Sequence, residues 1–152
     1  MEYKEGAVEH IFPYEYEQAS NSYLMGLVAA IAGLPLPVIN LIASAIFYLG
    51  QRRSTYFVRW HALQALIGQA VLVPFNSVFF AWTFGILWGN RESGMAYWIY
   101  FAVIAMVNFL EFIAVAYAAS RVRKGHDVRW AIIAGITDSL CSTENRDPFI
   151  RK

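Results

Sequence analysis

Tyr56-Phe57-Val58-Arg59-Trp60-His61-Ala62-Leu63-Gln64-Ala65 is the stretch whose reading decides the fold. It follows a basic turn, Gly50-Gln51-Arg52-Arg53-Ser54-Thr55, and opens an apolar run that continues to Trp88. Arg59, His61 and Gln64 therefore lie where a membrane helix begins. Such residues have two readings. They anchor the helix end, with Arg59 and His61 reaching headgroups while Tyr56 and Trp60 sit in the interfacial belt. Alternatively they form a polar seam inside a bundle, since an ionisable group within a span is costly unless it is satisfied.

Working outward, the 152 residues are 58% hydrophobic and 15% charged, too apolar for a soluble domain of this size. The net charge of +1 hides an asymmetry, because Glu2, Glu5, Glu9, Glu15 and Glu17 face Lys4 alone in the first twenty residues. No basic n-region or cleavage site precedes the first apolar run, so no removable signal peptide is expected. A single cysteine, Cys141, excludes an internal disulfide and a thiolate metal site, and its place beyond the last span permits lipidation.

The expected architecture is an all-α integral membrane protein with three transmembrane helices, the first two bent at prolines, and a C-terminal interfacial amphipathic helix. Residues 1–21 form an acidic outer tail, and residues 22–49, 57–88 and 95–120 form the spans. The first apolar stretch is interrupted by Pro35-Leu36-Pro37. Unbroken, it would measure about 42 Å, whereas halves of about a dozen residues fall below the ~17 needed to cross a bilayer. One kinked helix is the reading, with a re-entrant hairpin as the alternative. Pro74 and Asn76-Ser77 bend the second span. Beyond the third, Ala131 to Leu140 is too short to cross, and Ile132, Ile133, Ile136 and Leu140 share one side. Residues 128–140 are thus read as lying in the interface, with 141–152 as a cytoplasmic tail.

Charge orients this arrangement. Arg52, Arg53 and Arg59 on one side join Arg121, Arg123, Lys124 and Arg129, against Lys4 and Arg91 on the other. The positive-inside rule then places the chain in an inner membrane of bacterial type, its N-terminus outside and its C-terminus in the cytoplasm. The same cations are candidates for contact with anionic lipid headgroups, each worth about 1 kcal/mol near the surface.

Depth arithmetic gathers a polar layer from Asn40, His61, Gln64, Gln69, Asn108 and Glu111, several of them roughly 10–14 Å from the cytoplasmic ends of their spans. Glu111 is costly there, by about 2.5–3.5 kcal/mol on insertion scales, so a hydrogen bond or pairing with His61 or Arg59 is expected. The layer reads either as interhelical glue or as a site along a proton, ion or polypeptide path. No Walker loop, G-x-G-x-x-G, H-E-x-x-H or G-x-S-x-G is present, so no catalytic residue and no cofactor is expected. His10, His61 and His126 fall on opposite sides of the expected topology, leaving no metal site. No extended basic face with aromatics points to nucleic acid.

Residues 56–65 resemble the F-V-R-F-H-A-x-Q helix entry of the Tic-twenty-like family of small membrane proteins. Ala118-Ala119-Ser120-Arg121-Val122-Arg123-Lys124-Gly125, with Arg129 and Ile133-Ala134-Gly135-Ile136, resembles that family's A-x-R-A-x-K-G … R-x-P-x-I-G ending, with Ala131 where proline is usual. The resemblance implies a non-enzymatic integral-membrane subunit of a larger assembly concerned with protein translocation, whose partners are lipids and other membrane subunits or further copies of itself. A small homo-oligomeric channel or carrier using the layer around Glu111 is the rival, and a lipid-interacting protein using residues 121–140 is a third reading.

Overall fold

The computed structural model describes residues 11–31, 37–89 and 91–141. They form five α-helices and no strand: α1 (Pro13–Ile31), α2 (Pro37–Gln51), α3 (Tyr56–Leu87), α4 (Met95–Arg123) and α5 (Ile133–Leu140). The chemistry of their ends explains the boundaries. Proline suits the first position of α1 and of α2, where its missing N–H costs nothing. Glu15 turns back to accept the Phe12 N–H at 2.6 Å, which satisfies a free donor at the start of α1. Helix α4 ends in a Schellman motif: Gly125 takes φ +84°, its N–H bonds the Val122 carbonyl, and the His126 N–H reaches back to Arg121.

The first expectation to be corrected is the single kinked helix over 22–49. The chain forms two helices there, and α1 packs on α2 as well as on α3 and α4. The prolines at 35–37 fall at the join, where residues 32–36 lie outside the described part. Two helices packed side by side are the arrangement found among the described residues. Propensity alone does not stop a helix that lacks the length to cross, so the minimum-length argument fails once α1 and α2 pack side by side.

The expected threading is corrected with it. Arg123 at the end of α4 lies 3.4 Å from Glu17 near the start of α1, Ser20 donates to the Ala119 carbonyl at 2.9 Å, and Tyr16 meets Phe57 at the start of α3 with ring centroids 5.3 Å apart. The beginning of α1, the beginning of α3 and the end of α4 thus share one end of the molecule. The expected threading set residues up to 21 and residues 121–124 on opposite sides, and these contacts bring the start of α1 and the end of α4 together. The acidic residues from 13 onward belong to a packed helix, and Glu15 is buried. Residues 1–10 of the expected outer tail and 142–152 of the expected cytoplasmic tail lie outside the described residues.

Among the described residues, α3 and α4 are the two helices long and apolar enough to cross a membrane, with 32 and 29 residues or about 48 and 43 Å. Helix α3 continues through Pro74. Away from the shared end both expose large apolar side chains, including Phe75, Val78, Phe84, Val103, Met106 and Phe109. A surface of that kind marks a face that meets a membrane or another protein. The buried core is at the other end. There Ala19, Ala118 and Ala119 let α1 and α4 approach closely, and Tyr23, Ala65, Val115 and Val122 fill the space between them and α3.

Candidate functional site

Eight consecutive residues of α3, Val58 to Ala65, are buried. A helix buried on every side is enclosed by protein all round. Here the enclosure consists of Tyr23 from α1, Tyr48 from α2, the segment after α4 and one face of α5. The doorway residues therefore face inward, and the anchoring reading is corrected: Arg59 is 6% exposed, and His61 and Gln64 are 0% exposed.

Gln64 is the hub. Its Nε2 donates to the Tyr23 hydroxyl at 2.7 Å and to the Val128 carbonyl at 2.9 Å, while its Oε1 accepts the Trp130 N–H at 3.1 Å. Because Gln64 donates to Tyr23, the tyrosine is free to give its own proton to His61 Nδ1, 2.9 Å away. That assignment leaves the His61 proton on Nε2, which faces the Asp127 carboxylate at 3.4 Å. The hydrogen bond with His61 holds the Asp127 carboxyl below the usual carboxylate range against the opposing effect of burial, and Arg129 adds to the lowering.

A second set of bonds continues from Trp60. Its indole N–H donates to Asp138 at 2.8 Å, Arg129 pairs with the same carboxylate at 2.5 Å, and the Arg129 guanidinium lies over the Trp60 ring at 4.6 Å. A pocket of about 90 Å³ opens between Trp60, His61, Asp127 and Arg129. Helix α5 is shorter than the expected 128–140 and docks on α3 through Ala134, Thr137 and Cys141, leaving Ile132, Ile136 and Leu140 outward. Burial pushes the Cys141 thiol up, opposed by Arg59 beside it.

The polar layer separates into two levels. His61 and Gln64 belong to the knot just described. Farther along the bundle Gln69 donates to Glu111, so the partner of Glu111 is an amide and neither His61 nor Arg59. Asn40, Gln69, Asn108 and Glu111 line a cavity of about 110 Å³. Asn108 exchanges two hydrogen bonds with Asn76, at 2.8 and 3.1 Å, tying α4 to α3. From Gln64 to Gln69 is about 7.5 Å of helix rise, enough to put the two groups in separate neighbourhoods. The sequence reading missed Tyr23, Asn76, Asp127 and Asp138, and the carbonyl and N–H of Val128 and Trp130. A single tyrosine, asparagine or aspartate gives no signal of an inward partner, and backbone groups give none at all.

Of the cations expected at the membrane surface, Arg52, Arg53, Arg121, Arg123 and Lys124 lie at the shared end, with Arg123 paired to Glu17 and Arg121 over the Tyr117 ring at 5.9 Å. Arg129 is committed to Asp138 and Trp60. His61 and His126 are at the same end, while His10 lies outside the described residues. Among the described residues no group of three or more His, Cys, Asp or Glu side chains is placed to hold a metal ion.

The sequence model of the MamF/MmsF family, described as a magnetosome magnetite crystal formation protein family, matches residues 19–136. No curated protein and no solved structure matches the chain. This finding overturns the Tic-twenty-like resemblance, and the expected role in protein transport, or as a channel or carrier around Glu111, goes with it. The two quoted motifs fall within 19–136, so the residues that carried the resemblance belong to the pattern of a different family.

Proposed function

The chain belongs to the MamF/MmsF magnetosome magnetite crystal formation protein family, and from that membership we propose that it is a non-enzymatic membrane protein taking part in the formation of magnetite crystals. The family match over residues 19–136, which takes in α2, α3, α4 and most of α1, is the observation that carries the reading. The long apolar helices and the family together make the chain a membrane protein.

In this reading α3 and α4 cross the bilayer, with α3 spanning from about Leu66 to Leu87. Arg52, Arg53, Arg59, Arg121, Arg123, Lys124 and Arg129 lie at the shared end, and Arg91 at the other among the described residues. That bias puts the polar knot on the cytoplasmic face and the Arg91-Glu92 turn on the far one. Helix α2 has only 15 residues, about 22 Å, short of the ~30 Å hydrocarbon core. The α1–α2 pair therefore enters the bilayer part-way and returns, and α5 lies in the interface with Ile132, Ile136 and Leu140 toward lipid. Lipids are its first partners, with self-association or other membrane proteins as further ones.

Single cysteines test the topology in a Cys141→Ser background. At Tyr14, Ser54 and Lys124 they should label with a membrane-impermeant maleimide only from the cytoplasmic side, and at Glu92 only from the opposite side. Labelling of positions 14 and 124 from different sides would refute the threading. Function is tested in a magnetite-forming bacterium deprived of its own family member. Wild-type protein should restore crystal size and number, and crystals that are the same with and without it would overturn the assignment.

A further inference from the structure

Helix α1 lies against both α3 and α4, and it holds them apart along one side of the bundle. On the opposite side this leaves a groove of about 340 Å³ between them, within the 300–1,000 Å³ range of ligand sites. Leu72 of α3 and Val107, Leu110 and Ala114 of α4 form its walls, and Trp130 and Ile133 line it toward the cationic end. The lining is apolar apart from Glu111, whose carboxyl is taken up by Gln69. Trp130 is fixed in this position. Its N–H is held by Gln64, and its ring passes so close to Gly68 that a Cβ there would come within 2.7 Å of Cζ3.

Charge extends the groove. Val107, Leu110, Ala114, Tyr117 and Arg121 follow one another at spacings of three and four, so they run down one face of α4. The stripe ends with the Arg121 guanidinium above the Tyr117 ring, and Lys124 follows nearby. An apolar slot pointing toward the bilayer centre, with cations at its cytoplasmic mouth, matches one phospholipid: an acyl chain in the slot and a phosphate at Arg121. We infer that the α3–α4 groove is a binding site for a single acidic phospholipid, held by its acyl chain between the helices and by its headgroup at Arg121.

Native mass spectrometry of the detergent-purified chain, titrated with phosphatidylglycerol or with phosphatidylcholine of the same chain length, tests this. Wild-type protein should retain one phosphatidylglycerol with at least a tenfold preference. Ala114→Phe, which fills the slot, should lose retention of both lipids. Arg121→Gln should keep the chain but lose the preference. Leu72→Trp blocks the slot from the α3 side and guards against a folding defect peculiar to position 114, and helical circular dichroism verifies each variant. Undiminished phosphatidylglycerol retention in both blocking variants would overturn the site. So would a wild-type dimer without lipid that both variants convert to monomer, because the occupant would then be a second copy. These outcomes are independent of any effect on crystals.

Discussion

Gln64→Leu should destabilise the protein by about 3–5 kcal/mol and release the C-terminal segment from α3. The side chain is fully buried and makes three hydrogen bonds to three partners: the Tyr23 hydroxyl, the Val128 carbonyl and the Trp130 N–H. Leucine fills a similar volume, so the loss is polar. Each partner left buried without a bond costs about 1–3 kcal/mol, and two of them are backbone groups of the segment that carries α5. The consequence is spatially defined. Amide hydrogen exchange should rise over residues 126–141 and at Tyr23, while the far halves of α3 and α4 keep their protection. Gln64→Glu is the informative companion, because a carboxyl kept protonated by burial still accepts the Trp130 N–H but has one proton to donate where the amide has two. It should fall between wild type and leucine. If Gln64→Leu unfolds at the wild-type temperature with unchanged exchange near Trp130, the knot does not hold the tail.

The same residue shows what the sequence made legible and what it did not. The two long helices were visible because apolar runs of their length, ended by Gly89 and Gly125, have few other solutions. That Arg59, His61 and Gln64 needed satisfaction was also visible, from the cost of placing them beside an apolar run. Their partners were hidden. Two of Gln64's are main-chain atoms sixty-odd positions away, and the third, Tyr23, sits at the start of an apolar run in which one tyrosine gives no sign of an inward partner. Glu15 and Glu17 misled in the same way, since one turns inward to cap its own helix and the other pairs with Arg123 across the bundle. Depth arithmetic set Asn40, Gln64 and Glu111 at one level with Gln69 and Asn108 beyond it, whereas the cavity gathers Asn40, Gln69, Asn108 and Glu111 and leaves Gln64 to the knot. Asn40 was placed at the level of Glu111, and the two do line one cavity. The family was misread for a further reason: a short motif of aromatic, Arg and His residues reports a helix entry with a buried polar hub, and a hub of that kind is architecture that different families can share.

Ala118→Leu should be nearly as damaging, by about 2–3 kcal/mol, and it distinguishes the hairpin from the three-span threading directly. Ala118 is 0% exposed, and it packs in the same core as Ala19, which is equally buried. Ser20 beside it bonds the carbonyl of Ala119, so the two backbones approach as closely as small side chains allow. Three added carbons have no space to enter and must push α1 away or force off-rotamer side chains. The Ser20 bond and the Glu17–Arg123 pair would be lost together, and a cysteine at Tyr16 or Ser22 should become more accessible to a thiol reagent. Tyr117→Leu is the control one position earlier, on the exposed face of α4, and should leave the melting temperature within the range of ordinary surface changes. In a chain whose acidic segment lay on the far side of the membrane, residues 13–22 would be remote from position 118, and enlarging Ala118 would leave their reactivity unaltered. Coupled loosening of α1 by a substitution on α4 is therefore the signature that the shared end is real, and with it the enclosure that buries His61 and Gln64.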